Sequence, residues 1–228
     1  MTFLRASALL VALAALPAIS GAQALVGRSD SVFTWRGALP AGALLTVRNH
    51  NGPIDVRPST GTQVEFRAEK RSRSGNLTDV AFDIVTGSKG DVTICSTFRS
   101  NNPCDEDRHS WNDGDDWRRN VTVAMTVLVP RGAQVRVGTG NGAVSVERVG
   151  GEVSASTGNG RVSVLNTDGA VRVATGNGDV EVRDAKGAVR VTTGNGRVRV
   201  STAQGPVEAR SGNGDIDVRM TALRPQRP

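Results

Sequence analysis

Three carboxylates and two indole rings are the side chains of this sequence best suited to binding a ligand, and they lie in one acidic stretch. They are Asp113, Asp115, Asp116, Trp111 and Trp117, within residues 96–118. Oxygen-rich loops suit calcium, but the ordered ligand spacing of an EF-hand is absent here. A solvated surface loop is the favoured interpretation. We therefore predict no metal site and no cofactor, and keep the aspartates as the metal candidates and the tryptophans as a candidate ligand loop.

Two cysteines, Cys95 and Cys104, bracket a proline-containing turn at the start of this stretch. Residues 1–24 indicate that the chain is exported, and in an exported chain a single pair of cysteines is typical of a disulfide. A catalytic thiol assisted by His109 and Asp105 is the alternative, but no recognised spacing connects these residues. The pattern favours a Cys95–Cys104 disulfide, and no catalytic residue is predicted.

The second half of the sequence is a nine-residue unit written nine times, from Thr139 to Arg219. The fourth position of every unit is glycine, the sixth is valine or isoleucine, and the eighth is valine or alanine. Units that open with TGNG or SGNG alternate with units that do not. The true period is therefore eighteen residues, made of two unlike halves.

Residues five to nine of each unit alternate between apolar and polar side chains, which is the period of a strand with one buried face. The residues before them are rich in glycine and asparagine, which tolerate the backbone conformations of tight turns. Two units then close one coil, stacked about 4.8 Å from the next. The pattern predicts an all-β chain, a parallel β-solenoid (β-helix) with 18-residue coils, each holding two strands and two glycine turns.

Side chains eighteen residues apart should be neighbours in such a stack. One outward column has charges that alternate in sign, which favours stacked strands. Its members are Arg161, Asp179, Arg197 and Asp215. The structural turns of the odd units form a column of asparagines, whose amides can share hydrogen bonds, and a column of glycines. These residues are Asn141, Asn159, Asn177, Asn195, Asn213, Gly142, Gly160, Gly178, Gly196 and Gly214.

The first half of the chain carries the same signature in a less regular form. Residues 40–57 align with residues 130–147 at an offset of 90 residues, which equals five repeats of eighteen. The matched pairs include Val47 with Val137, Asn51 with Asn141 and Gly52 with Gly142. The alignment predicts that the solenoid begins near residue 40.

The domain organisation follows from these segments. One β-solenoid domain is expected over residues 25–219. Within it, residues 25–129 form irregular coils interrupted by the insertion 96–118, and residues 130–219 form the regular repeats. Residues 220–228 are a C-terminal tail.

Residues 1–24 have the pattern of a secretory signal peptide, with Arg5, an apolar run and a small-residue cleavage site ending at Ala24. The apolar run is too short to predict a membrane span, so none is expected in the mature chain. The chain is therefore predicted to be exported to the periplasm, the outer surface or the medium.

Basic residues outnumber acidic ones by 28 to 22, a net charge of +6. The arginines are interleaved with acids, and an exported protein seldom meets nucleic acid, so no nucleic-acid partner is predicted. A plain solvated surface is favoured, with anionic polysaccharide or lipid head groups as the alternative partners.

The repeated TGNGxVxV units, the signal peptide and the Pro-x-Gly segment entering the array together resemble the bacterial "putative adhesin" β-solenoid family, over about residues 40–219. The resemblance implies a parallel β-solenoid on an exported envelope protein. That family has no defined molecular function, and the resemblance brings no catalytic residues with it.

These observations predict a non-enzymatic cell-envelope scaffold or adhesin-like module whose partner is an envelope protein or a polysaccharide. The edge of the last coil should be exposed, which also predicts self-association. A polysaccharide-active enzyme on a β-helix scaffold is the alternative, and it needs carboxylates clustered in a groove. The outward acids are interpreted instead as members of salt-bridged columns. They are Asp179, Glu181, Asp215 and Asp217.

Two other repeat chemistries fit the sequence less well. Calcium-binding nonapeptides place an aspartate where this chain has valine or isoleucine in every unit. Ice binding needs a flat threonine array, and this chain has one such column, for which hydrogen bonding within the turns is the alternative. The column is Thr139, Thr157, Thr175, Thr193 and Ser211.

Overall fold

The computed structural model describes residues 27, 30–73, 76–98, 121–202 and 205–220. The predicted signal peptide lies outside this set, as does the tail after Met220. Most of the acidic insertion is also outside it. The residues concerned include Cys104, Trp111, Asp113, Asp115, Asp116 and Trp117.

The described residues form two β-sheets and one turn of 3-10 helix, Leu77–Asp79, so the all-β prediction is confirmed. Sheet A consists, in spatial order, of β5 (Val80–Thr86), β6 (Val92–Phe98), β2 (Leu44–Asn51), β8 (Gln134–Asn141), β10 (Val153–Asn159), β12 (Val171–Asn177), β14 (Val189–Asn195) and β16 (Val207–Asn213). Sheet B consists of β1 (Val32–Ala38), β4 (Gln63–Ser72), β7 (Val121–Val129), β3 (Ile54–Pro58), β9 (Val144–Glu147), β11 (Val162–Thr167), β13 (Val180–Ala185), β15 (Val198–Thr202) and β17 (Ile216–Met220).

From β8 onward, successive strands alternate between the two sheets, and each strand up to β15 pairs in parallel with the strand two places later. The register joins like positions of the repeat. Val153 pairs with Val171 in sheet A, and Val162 pairs with Val180 in sheet B. In each pair the two residues are eighteen positions apart in sequence. Paired strands of one sheet are therefore separated along the chain by one repeat period.

The core lies between the sheets and is built from the sixth and eighth positions of the repeat. Val180 is 1% exposed and Val182 is fully buried, and their neighbours in the adjacent strands of sheet B, Val162, Val164, Val198 and Val200, are 0–2% exposed. Each fully buried valine contributes about 1.5–3 kcal/mol of transfer free energy. A single coil has too few of them to fold alone, which is why the sequence needs many coils in register.

The two segments that align at an offset of 90 residues are direct neighbours in the stack. Strand β2 pairs in parallel with β8, so that Val47 faces Val137 and Asn51 faces Asn141. Strand β3 pairs with β9 in the same way. Strands β6 and β7, which lie between the two segments in sequence, pair on the far side of β2 and β3.

The N-terminal end of the structure combines parallel and antiparallel strand pairs. Strands β6 and β7 pair in parallel with β2 and β3, but β5 is antiparallel to β6, and both β1 and β7 are antiparallel to β4. Three aromatic rings close this end of the core, with Phe33 stacked on Phe82 at 4.9 Å and Phe66 edge-on to Phe82 at 5.7 Å. Alternation in the sequence reports which face is buried and not the strand direction, so these antiparallel pairs were not predicted.

Candidate functional site

The corner where each sheet A strand turns into sheet B carries a continuous ladder of asparagine amides. The Nδ2 of Asn177 donates to the Oδ1 of Asn159 at 2.8 Å, and Asn195 donates to Asn177 at 2.7 Å. The ladder extends to Asn141 at one end and Asn213 at the other, each link donating toward the N-terminal end of the stack. These side chains are exposed, so the ladder supports the corner and is also part of the molecular surface.

The glycine after each ladder asparagine is required by close backbone contact. At Gly196, φ is +146°, and a Cβ would lie 2.1 Å from the carbonyl oxygen of Gly178 in the coil below. No side chain fits at that distance. The buried hydroxyl of Thr193 donates to the same Gly178 oxygen at 3.2 Å. The four threonines of this column point into the turns and are 0–6% exposed, which excludes the column as an ice-binding array.

The opposite corner, at the start of the even units, is built differently. Its first residue has a left-handed backbone, with φ of 53–54° at Arg148, Asn166 and Asp184. Its glycine has no positive φ but still packs against backbone, since a Cβ on Gly187 would lie 2.4 Å from the oxygen of Gly169. Only the first of the two corners has an amide ladder, so the two edges at which the sheets meet differ chemically.

The outward face of sheet B is electrically balanced by pairing. Arg161 lies 3.6 Å from Asp179, and Arg197 lies 3.7 Å from Asp215, so the predicted column of alternating charges is present. The remaining two outward acids also bind arginines, Glu181 to Arg183 and Asp217 to Arg219. All four carboxylates named as salt-bridged candidates thus have cationic partners.

The same pairing continues on β4, where Arg67 and Arg71 flank Glu69 at 2.8 and 3.4 Å. Hydrogen bonding and charge from Arg67 hold the pKa of Glu69 below its usual value. This carboxylate is therefore ionised at neutral pH, which is the opposite of what a general acid on this face would need.

The outward face of sheet A is more basic than that of sheet B. Its central column runs Arg136, Ser154, Arg172, Arg190 and Glu208, all in strand register. Arg172 and Arg190 are therefore adjacent like charges. The equivalent column of sheet B runs Ser145, Ser163, Glu181, Arg199 and Asp217. Both acids near the sheet A column are already engaged, Glu152 by Arg172 and Glu208 by Arg190.

A buried lysine that the sequence analysis missed lies at the N-terminal end. Lys70 is 3% exposed and donates to the backbone oxygens of Val80 at 2.8 Å and Leu77 at 3.2 Å, with its Nζ 5.7 Å from the centre of the Phe82 ring. It occupies an inward position of β4, in phase with Phe66 and Ala68. The signal that could have revealed it is a lysine at a strand position where the alternating pattern places apolar residues. Its contacts with backbone oxygens and an aromatic ring indicate that this lysine stabilises the fold.

The residues predicted as a metal or ligand loop are not described, so that interpretation stays a prediction. Cys95 lies in β6 and is 5% exposed, while its predicted partner Cys104 lies outside the described residues. In the part of the chain that the structure describes, no three histidine, cysteine or acidic side chains come together as a metal site. Nor does any helix within it have the length and apolarity to cross a membrane.

The family model described as Toastrack DUF4097 matches residues 43–226 of the chain. The sequence has no match among the curated proteins. A crystal structure described as a "putative cell adhesion protein" from Clostridium sporogenes is 11% identical with a TM-score of 0.45, covering 83% of this chain and all of that one. A "putative adhesin" from Bacteroides fragilis is 11% identical with a TM-score of 0.32, covering 84% of this chain and 99% of that one.

Proposed function

We propose that this chain, which belongs to the Toastrack DUF4097 family, is an exported, non-enzymatic β-solenoid that acts as an adhesin-like scaffold at the cell envelope. The family membership confirms the resemblance drawn from the TGNGxVxV units. Each coil of the proposed solenoid has eighteen residues, two strands and two glycine corners. A Cys95–Cys104 disulfide pins the insertion of residues 96–118 to β6.

The observation that carries the proposal is the difference in charge between the two outward faces. The sheet A column has three arginines and one glutamate in five consecutive positions, while the sheet B column has one arginine and two acids. A face with an excess of exposed arginines, two of them adjacent, is suited to an extended polyanion that competes with Glu152 and Glu208 for them. We therefore propose acidic envelope polysaccharide as the partner and the face of sheet A as the contact surface.

The distribution of carboxylates supports a scaffold over an enzyme. Glycoside-cleaving sites use two carboxyl groups about 5–10 Å apart with distinct protonation states. The outward acids Asp179, Glu181, Asp215 and Asp217 each have an arginine partner instead. Side chains that repeat from coil to coil offer a polymer many equal contacts and no single reaction centre.

The test compares two variants that each lose three arginine charges. Arg136→Gln, Arg172→Gln and Arg190→Gln together neutralise the sheet A column, and the matched control replaces Arg161, Arg183 and Arg199 on sheet B with glutamine. Binding to a protease-treated envelope fraction is measured by co-sedimentation at several salt concentrations. We expect the first variant to bind at least about tenfold more weakly and the control to bind like the wild type.

Wild-type binding should also weaken with added salt, because the contact is between exposed charges. Equal binding by both variants would contradict the assignment to sheet A. Export is tested separately by the N-terminal sequence of the mature protein, which should begin at Leu25 outside the cytoplasm. A full-length chain retained in the cytoplasm would contradict the exported role.

A further inference from the structure

The C-terminal end of the stack exposes the apolar columns that are buried everywhere below it. Ile216 is 44% and Val218 is 39% exposed, whereas Val198 and Val200 in the same columns are 0% and 2% exposed. Strands β16 and β17 are the edges of their sheets. We propose that a second copy of this chain covers this end, and that the two copies pair their edge strands antiparallel around a two-fold axis.

The backbone of both edge strands has its open hydrogen-bonding groups at the core-facing residues. Val198 donates to the oxygen of Asp215, and Val189 donates to that of Pro206, both at 2.8–2.9 Å. Because the direction of N–H and C=O alternates along a strand, the groups of Ile216, Val218 and Met220 point away from the stack. The same holds for Val207, Ala209 and Ser211 in β16.

Strand β17 is complementary to itself when it is paired antiparallel about Val218. Its sequence IDVRM then places Ile216 opposite Met220 of the second copy and Asp217 opposite Arg219 of the second copy. The inward pairs are apolar and the outward pairs are opposite in charge. Val218 faces Val218 of the second copy as a hydrogen-bonded pair, because its free N–H and C=O both point outward.

Strand β16 shows the same complementarity about Ala209, independently of β17. Its sequence VEARS places Glu208 opposite Arg210 of the second copy and Val207 opposite Ser211 of the second copy. Ala209 and Val218 lie equally far along the chain from the corner at Asn213 and Gly214. The two strands run back from that corner in opposite directions, so one two-fold axis can pass through both centres. Edge pairing of both strands then buries the exposed ends of the apolar columns and satisfies the open backbone groups.

This pairing goes beyond the proposed adhesive role and does not depend on it, since a monomer can also bind polysaccharide through the face of sheet A. Its failure would be seen in the oligomeric state of the purified protein, while failure of the adhesive role would be seen in co-sedimentation with envelope. The two outcomes are therefore distinguishable.

The first experiment uses charge reversal on the full mature chain. One variant carries Glu208→Arg and Asp217→Arg, which makes both edges positive, and the other carries Arg210→Glu and Arg219→Glu, which makes both edges negative. Sedimentation velocity should show that each variant self-associates on the order of a hundredfold more weakly than the wild type, since like charges now oppose each other. An equal mixture of the two should regain the wild-type association.

The matched control reverses two acids in the middle of the stack, Glu152→Arg and Glu181→Arg, and should associate like the wild type. Self-association that is equally strong in both edge variants overturns the proposal. So does a wild-type chain that stays monomeric at high concentration, because the end is then covered by residues 221–228 or by another protein.

The second experiment tests the register by cysteine cross-linking, with the wild type as the background control. Opposite hydrogen-bonded residues of antiparallel strands have Cα atoms about 5.5 Å apart, within the range of a disulfide. Val218→Cys should therefore form an intermolecular disulfide with itself. Ile216→Cys should cross-link with Met220→Cys in a mixture and not with itself. Efficient self-linking of Ile216→Cys, with none for Val218→Cys, overturns the proposed pairing.

Discussion

At the scale of single residues, the two kinds of corner glycine restrict the chain for different reasons. Gly196 combines a backbone that side chains rarely adopt with a close contact to the Gly178 oxygen, whereas Gly187 has the contact alone. Gly61 has neither, since its nearest non-adjacent atom would lie 3.8 Å from an added Cβ. These three positions allow backbone strain to be separated from steric overlap.

Alanine at these positions should therefore give graded losses of stability. We expect Gly187→Ala to lower the free energy of unfolding by about 1–3 kcal/mol through the forced shift of neighbouring backbone, and Gly196→Ala to cost about 1–3 kcal/mol more through strain. Gly61→Ala should be neutral or stabilise by up to about 1 kcal/mol. Urea unfolding followed by circular dichroism measures all three. Equal losses at Gly187 and Gly196 would show that φ makes no separate contribution.

The amide ladder has a direction, and an aspartate can test it. In Asn177→Asp the oxygen facing Asn195 still accepts its hydrogen bond, but the group facing Asn159 can no longer donate at neutral pH. We expect a loss of about 1 kcal/mol relative to the wild type at pH 7. At about pH 3 the protonated carboxyl can donate to Asn159 again, so the loss should shrink. A difference from the wild type that grows on acidification would contradict the donor direction, and Asn177→Ala, which does not titrate, is the control.

At the scale of strands, burial within one column depends on its place in the stack. Val182 and Val218 occupy the same position of the repeat, but the first is fully buried and the second is 39% exposed. Val182→Ala should therefore destabilise the monomer by about 2 kcal/mol and Val218→Ala by less than about 1 kcal/mol. Thermal or urea unfolding at concentrations where the protein is monomeric compares them. A loss at Val218 as large as that at Val182 would mean that chain outside the described residues buries this position.

The strand pairing also shows how much of the fold can be predicted from the sequence. Pairs such as Val162 with Val180 could be predicted because equivalent positions of successive repeats hold the same residue type and lie side by side in neighbouring strands. The match of Asn51 with Asn141 carried the same information across an interruption of the repeat, and the two residues are paired in the structure. The antiparallel pairing of β1, β4 and β5 could not be predicted, since no repeat marks it and alternation is the same for either direction. The basic column of sheet A was predictable from the same eighteen-residue rule, since Arg136, Arg172 and Arg190 are separated by multiples of eighteen, but only the columns of the odd units were considered.

At the scale of the whole molecule, the proposed solenoid is a stack whose unit is one coil with its pair of unlike corners. A chain that loses one complete pair should rejoin in register, because each strand finds the same column below it. A chain that loses one nine-residue unit, and so only one of the two corners, should not rejoin in register. All strands after the deletion would move to the opposite sheet, and the corner with the asparagine ladder would stack on the corner with the left-handed residue.

Two deletions test this unit directly. Removing residues 160–177 joins Asn159 to Gly178 and restores the wild-type sequence across the junction, so we expect a folded β-protein whose stability is lower by about the contribution of one coil. Removing residues 160–168 joins Asn159 to Gly169 and also restores a TGNG turn. The unit that follows then also opens with TGNG, so two units of the ladder type are consecutive where the wild type alternates the two types. We expect this shorter deletion to be the more damaging one, with loss of cooperative unfolding and rapid proteolysis after residue 159. Circular dichroism, thermal unfolding and limited proteolysis compare the pair. If the nine-residue deletion folds as cooperatively as the eighteen-residue deletion, the two corners are interchangeable, and the unit of the fold is nine residues rather than eighteen.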